Sequence, residues 1–360
     1  MYSGWSETQL RGNPPTPQRE DGHQSDQVRN GAGPLVRDES ERPQSPVLED
    51  LLKRRLLIVV GKGGVGKTTV SAVLASLAAQ RGTRTLAMET DIRAPLGAVL
   101  GQGPSMAPVA VSERLATMVL EGRRALEEYL HLVVPGRAIL KAVFSSKLYQ
   151  YFVQAAPGLR ELMMLGKIYY EIEQRPAQHR KWEMIVLDAA ASGQALGLLK
   201  MPSAARQTFG ESMVGREARN IGKMLRDRRV CAVIQATTPE PMALAETLET
   251  HAALSALKLD VAAIILNRYQ PRHFETTDLA RLKRHSGLRR NLKHLDHIAA
   301  LAHQELERAM RSREALALLR SRTRCPIVEL PEHRELSGAG LVGRLTADLA
   351  GKEMLPVHAK

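Results

Sequence analysis

A run of five apolar residues, Leu56-Leu57-Ile58-Val59-Val60, passes directly into Gly61-Lys62-Gly63-Gly64-Val65-Gly66-Lys67-Thr68-Thr69 and then into an apolar-periodic segment reaching about Arg81. A strand, a glycine-rich loop and a helix in that order form the setting in which a polypeptide can cradle phosphate. Glycines let the backbone curl so that successive N–H groups aim at one point, and the free N–H groups of the helix start add positive potential. The pattern assigns Gly61, Lys62, Gly63, Gly64, Val65, Gly66, Lys67, Thr68 and Thr69 to binding a nucleotide such as ATP. Lys67 is expected to reach the β- and γ-phosphates, and the Thr68 hydroxyl to ligate Mg²⁺. A chance glycine-rich turn would match the loop but not both flanks.

Further apolar runs, Thr85–Met88, Met184–Leu187, Val230–Ala236, Val261–Leu266 and Pro326–Leu330, alternate with helical patterns. Continuous apolar strands are buried on both faces, and the helices between them supply the cover. The expected fold is therefore a doubly wound α/β domain around a mostly parallel sheet. Two stretches break the rhythm. From about residue 120 to 180 the pattern is one of consecutive helices, read as a helical insertion. Thr277–Arg324 is strand-poor and basic, carrying Arg281, Lys283, Arg284, Arg289, Arg290, Lys293, Arg311, Arg313, Arg320, Arg322 and Arg324. Residues 1–50 are rich in Pro, Gln, Gly, Ser and charge without apolar periodicity, so a disordered tail is expected ahead of one domain spanning 51–360.

Composition narrows the setting. A chain of 360 residues, 44% hydrophobic and 25% charged, suits a soluble globular body. No run approaches the roughly 18 apolar residues of a membrane span, and no signal pattern opens the chain, so no transmembrane segment is expected. The two cysteines, Cys231 and Cys325, lie far apart, which disfavours a disulfide framework or a one-chain zinc site and suggests a reducing cytoplasm. The first 50 residues hold five Arg against nine Asp and Glu, a net −4, so the chain's +13 leaves +17 on the remaining 310 residues. Such charge suits nucleic acid or an anionic surface. With only 4% aromatic residues the basic helices lack stacking groups, and nucleic acid is disfavoured as a partner.

Carboxylates at the carboxyl ends of parallel strands lie where ligands bind in open α/β sheets. Asp188 ends one apolar run, and Asp91 follows another as Glu89-Thr90-Asp91. Asp188 is expected to hold Mg²⁺ directly or through water, and Asp91 to orient or deprotonate the attacking water. Gly193 would allow a loop to approach the γ-phosphate. An aspartate in either place can also serve only as a helix cap.

The loop GKGGVGKTT, the segment DAAASGQALGLLKMP from Asp188, TTPEPMALAET from Thr237, ILNR ending at Arg268 and CPIVELPE from Cys325 occur in that order. Together they resemble the ArsA-type ATPase family over about residues 55–350. The family includes the arsenite-pump ATPase and ATPases that target tail-anchored membrane proteins, with the MinD and ParA positioning ATPases as distant relatives. The resemblance implies that Lys62 reaches across a dimer interface to a partner's phosphates, in a homodimer or a heterodimer with a paralogue; a solvated lysine is the plainer alternative. It also implies that Asn267 contacts adenine with Pro331 closing over the base, and that Pro239 and Glu240 lie at the dimer interface. As a turn residue, or as a helix opening, the same side chains have ordinary explanations.

The chain departs from the family in places. Ile92-Arg93-Ala94-Pro95 follows Asp91 where proline, alanine, histidine and serine are usual, and Gln194 stands where histidine is common. Two isolated cysteines offer no soft ligand cluster for arsenite and no inter-subunit zinc clasp. Residues 106–224 hold eight of the thirteen methionines, including the pair Met163-Met164 within Gly158–Glu173, a composition suited either to an ordinary core or to a groove for a hydrophobic protein client. The expected activity is Mg-dependent ATP hydrolysis that opens and closes a dimer. The alternatives are a low-turnover regulatory subunit of a paralogous ATPase, or a positioning ATPase on DNA or a membrane surface.

Overall fold

A computed structural model describes residues 45–93, 95–133, 158–174, 181–272, 275, 277–278, 280–281 and 293–351. The chain order is α1 (Ser45–Leu52), β1 (Leu56–Val60), α2 (Lys67–Gln80), β2 (Thr85–Glu89), α3 (Pro95–Val99), β3 (Val109–Ala110), β4 (Leu115–Val119) and α4 (Gly122–Val133). There follow α5 (Leu159–Tyr169) with a π-turn over Tyr170–Gln174, β5 (Met184–Asp188), α6 (Ser192–Phe209), α7 (Met213–Arg226), β6 (Cys231–Thr237) and α8 (Pro241–Ala256). The last elements are β7 (Val261–Tyr269), α9 (Lys293–Arg322), β8 (Ile327–Pro331) and α10 (Gly338–Leu349).

The strands form one eight-stranded sheet in the order β3-β4-β2-β5-β1-β6-β7-β8. Every pairing is parallel except that of the two-residue β3 with β4. This is the doubly wound α/β arrangement that the alternating pattern predicts. β1 is buried along its whole length, and its side chains alternate between two apolar layers. Leu57 and Val59 pack with α1, α2 and α10 on one face, while Leu56, Ile58 and Val60 pack with α5, α6 and α7 on the other. A smaller cluster joins Leu244 of α8, Ile264 and Leu266 of β7, and Leu316 and Leu319 of α9.

Two features differ from the sequence reading. The strand Leu115–Val119 and its short antiparallel neighbour fall in a stretch for which the apolar runs gave no strand; β4 pairs with β2 and all five of its residues are buried. The folded body also begins before residue 51. Leu48 and Leu51, one helical turn apart on α1, are almost completely buried against the first layer. Residues 1–44 lie outside the described residues, as do 134–157 and 175–180 of the helical stretch, of which Gly122–Val133 and Leu159–Gln174 are seen as helix. Of the basic stretch, Lys283, Arg284, Arg289 and Arg290 also fall outside.

Candidate nucleotide site

The chain leaves β1 in one direction to build β2 and β4, returns to lay β5 beside β1, and then places β6 on its other side. Such a reversal opens a crevice at the carboxyl end of the central strand. The loop from Gly61 to Gly66 occupies that end. Gly61 lies so close to β6 that a Cβ would stand 2.3 Å from the Ala236 carbonyl oxygen. Gly66, with φ of +88°, precedes α2 without a side-chain cap, so the first N–H groups of the helix are left open toward the crevice. Those groups suit the oxygens of a phosphate.

Lys67 opens α2, and its Nζ donates to the Lys62 carbonyl at 3.1 Å. Burial pulls its ammonium below the usual lysine range, while the negative charges of Asp188 and Glu246 oppose that shift. The next side chain, Thr68, donates from Oγ1 to Oδ2 of Asp188 at 2.7 Å, and Ser71, one turn further along α2, donates to Oδ1 at 3.2 Å. Asp188 ends β5 at 6% exposure. Burial pushes its carboxyl above the ordinary range against the pull of Thr68, Lys67 and Ser71. The segment beyond β5 is anchored to the loop, since Ala189 N–H donates to Val59 and Ser192 N–H to the Gly61 carbonyl, both at 3.1 Å.

The donor set around Thr68 fits Mg²⁺. It offers one hydroxyl and one carboxylate in hydrogen-bond contact, and among the described residues no cluster of three or more His, Cys, Asp or Glu competes as a protein cage. Magnesium commonly takes one or two protein oxygens and completes its shell with phosphate and water. Buried hydroxyls support a polar occupant as well. Thr90, Ser192, Thr237 and Thr238, at or beyond the carboxyl ends of β2, β5 and β6, have no hydrogen-bond partner for their side-chain oxygens among the described residues. Buried polar groups are normally satisfied, and here a bound ligand with its water would supply the partners.

The other expected site residues are distributed around the loop. Asp91, on the segment after β2, binds Arg93 through both carboxylate oxygens, with Oδ1 at 3.0 Å from Nε. That guanidinium keeps the Asp91 carboxyl below its usual range. Lys62 points its Nζ toward Glu246 of α8 at 3.7 Å. Asn267, buried at the end of β7, donates from Nδ2 to the Val65 carbonyl at 2.8 Å. Pro331 closes β8 opposite Tyr269, and Glu240 precedes Pro241 at the start of α8. Gly193 has open space around it.

Sequence reasoning did not single out Glu246 or Glu89. Glu246 lies within the family-like segment from Thr237, and its position one turn into α8 could have flagged it. Glu89 is 1% exposed, and its two oxygens accept from the N–H groups of Leu96 and Gly97 at 2.7 and 3.0 Å. An acid closing an apolar strand was the available signal.

A glycine-lined loop between a central parallel strand and a helix, with a buried strand-end aspartate bound to a threonine in the first turn of the helix, defines a P-loop nucleotide-binding enzyme. Within that class, residues 54–218 of the chain match the family described as anion-transporting ATPase. The chain is 28% identical over 240 residues to ATPase BagA of Mycobacterium tuberculosis, a match covering 63% of this chain and 68% of that one. ATPase GET3B of Arabidopsis thaliana is 25% identical over 287 residues, covering 66% and 69% respectively. ATPase ASNA1 homolog 1 of Paramecium tetraurelia is 22% identical over 264 residues, covering 62% and 78%. The chain is thus an ATP-hydrolysing enzyme. Among the described residues no helix is long and apolar enough to cross a membrane.

Proposed function

We propose that this ATPase uses Mg²⁺ and ATP to close two copies on one another, with Lys62 of each copy completing the phosphate site of the other. The single observation that carries this reading is the division of labour between the two lysines. Lys67 turns inward and reaches a loop carbonyl, whereas Lys62 lies at the rim, partly exposed, against an acid on α8. Phosphates bound in the loop would already have Lys67 and the helix start as partners, so a rim lysine is placed to serve a second molecule. Two exposed apolar side chains support a closing surface at the same end of the sheet. Ile92, just beyond β2, is 69% exposed, and Met242, in the first turn of α8, is 72% exposed.

In this reading the backbone N–H groups and Lys67 bind the β- and γ-phosphates, and Thr68 and Asp188 hold Mg²⁺, which offsets charge on the phosphate oxygens when bound. Asn267 and Pro331 border the base. A water oxygen forms a bond to the γ-phosphorus, the bond to the β,γ-bridging oxygen breaks, and the departing ADP keeps that electron pair. Asp91 orients the water once its contact with Arg93 is released. An aspartate carboxylate is a weak base even when freed from the guanidinium, so orientation outweighs deprotonation in its role. Sedimentation of the full chain tests the proposal: ATP with Mg²⁺ should convert monomer to dimer, Lys62→Ala should abolish the conversion, and Lys67→Ala should abolish ATP binding. A wild-type chain that stays monomeric at saturating ATP would refute it.

A second reading concerns what closure acts upon. A cavity of about 460 Å³ lies between α4, α5 and α7, lined by Leu162, Met163, Tyr169, Met213, Val214 and Ile221. Methionine and aromatic side chains adapt to varied apolar shapes, which supports a groove for part of a hydrophobic protein client. A photo-crosslinking apolar peptide should label Met163 or Met213 more strongly with ATP than without it. Labelling indifferent to nucleotide would remove the link between the cavity and the switch.

A further inference from the structure

Glu246 stands beside both lysines of the phosphate loop. Its Oε2 lies 3.7 Å from the Lys62 ammonium, and its charge also acts on Lys67. An acid in this position opposes the binding of a polyphosphate, so its presence calls for a role. The loop supplies a mechanical link as well. Lys67 holds the Lys62 carbonyl while Glu246 holds the Lys62 side chain, forming a chain of contacts from Lys67 through Lys62 to Glu246. When Lys67 turns to the phosphates it releases the Lys62 carbonyl, and the negative charge of those phosphates repels Glu246 and loosens its hold on the Lys62 ammonium.

We propose that Glu246 is a positioning residue that holds Lys62 on its own subunit until a triphosphate displaces it. The inference rests on the inter-subunit role of Lys62 proposed above. Both side chains are about one-third exposed. A partly solvated pair of this kind is weak, so the higher charge of a triphosphate displaces it more readily than the lower charge of a diphosphate. The pair would then help the enzyme distinguish ATP from ADP before closure. Glu246 lies one turn into α8, on the helix that also presents the exposed Met242. Releasing Lys62 therefore frees it at the surface expected to meet the second copy.

The test is a titration of dimer formation against ATP in the presence of Mg²⁺, read by sedimentation velocity on the full chain. Glu246→Gln should lower the ATP concentration for half-maximal dimerisation by about twofold to fivefold, in line with losing an exposed ion pair. It should also allow measurable dimerisation with ADP. Glu246→Asp, which restores the charge, should return the titration toward wild type. Glu246→Gln/Lys62→Ala should fail to dimerise, as Lys62→Ala does alone, because the acid acts through the lysine.

A Glu246→Gln titration equal to wild type, with Lys62→Ala unable to dimerise, would overturn the latch and leave the inter-subunit reading intact. So would a gain persisting undiminished in the Lys62→Ala background, since Glu246 would then act directly on nucleotide. Dimerisation of Lys62→Ala at wild-type ATP would sink the inter-subunit reading and the latch with it. Unfolding midpoints measured alongside identify any variant whose behaviour reflects a damaged fold.

Discussion

Asn267, at the carboxyl end of β7, donates its side-chain amide to the Val65 carbonyl at 2.8 Å, joining the phosphate loop to a strand 202 residues further along the chain. The contact explains the glycine at Gly66. With φ at +88°, a Cβ there would be 2.3 Å from Asn267 Nδ2. Asn267 therefore supports the loop whether or not its remaining polar atoms meet adenine.

Replacing Asn267 by Ala should leave the Val65 carbonyl unpaired and cost about 1–3 kcal/mol of stability in urea unfolding, with weaker ATP binding. Gly66→Ala should be worse, because it adds left-handed backbone strain of about 1–2 kcal/mol to the clash. The double variant Gly66→Ala/Asn267→Ala should cost less than the sum of the two, since removing the amide removes the clash. A strictly additive result would show that the two residues do not meet in this way.

Asp91 and Arg93 form an exposed pair two residues apart. Replacing Asp91 by Asn should lower kcat by about 10²–10⁴ while leaving ATP affinity nearly unchanged, if it orients the attacking water. Arg93→Ala should free the carboxylate and raise kcat. Arg93 holds the Asp91 carboxyl below its ordinary value, so it stays ionised further into acid. Activity lost on acidification should therefore disappear at a higher pH in Arg93→Ala than in the wild type. A pH–rate profile unchanged by the substitution would separate Asp91 from the rate.

Both cysteines are held as neutral thiols. Burial pushes Cys231 and Cys325 up to about 12, far from the ionisation that makes a thiolate nucleophile or soft-metal ligand. Iodoacetamide at neutral pH should leave Cys231 unmodified until the protein is unfolded. Antimonite should leave the rate of ATP hydrolysis unchanged. Stimulation by the metalloid would require a ligand set that these two residues do not provide.

The phosphate loop was legible because its chemistry is local. Nine consecutive residues, one strand and one helix contain the loop, and Thr68, in the first turn of the helix that follows β1, meets the expected Asp188 because β5, which Asp188 ends, pairs beside β1. Strand order could not be read in the same way, since β1 lies between β5 and β6 only through long crossovers. β4 escaped notice because Thr117 interrupts a short apolar run, and its burial depends on β2 and on neighbours distant in sequence. α1 was missed because its few leucines follow a polar stretch, and only tertiary contact reveals that Leu48 and Leu51 are core. The settings of Lys62 and Asn267 lay beyond sequence for the same reason: Glu246 and Val65 become their neighbours only when α8 and β7 are placed.

Glu89 provides the last prediction. Its carboxylate ends β2 fully buried, with one oxygen bound to the Leu96 N–H and the other to the Gly97 N–H, and so fixes the segment that carries Asp91. A Gln in its place retains one carbonyl oxygen but turns an NH₂ toward the other donor. Glu89→Gln should cost about 1–3 kcal/mol for the unpaired N–H and should lower kcat more than ATP affinity. Burial raises the Glu89 carboxyl above its ordinary value, with the two backbone donors opposing the shift and Asp188 and Asp91 adding to it. The folded chain therefore holds this proton more tightly than the unfolded chain. Its contribution is most favourable below the ordinary carboxylate range and is lost as pH rises through that range to the raised folded value. The stability difference between wild type and Glu89→Gln should narrow from acid to neutral pH, measured by urea unfolding at each pH. A difference that widened instead would mean that the backbone donors outweigh desolvation at this carboxylate.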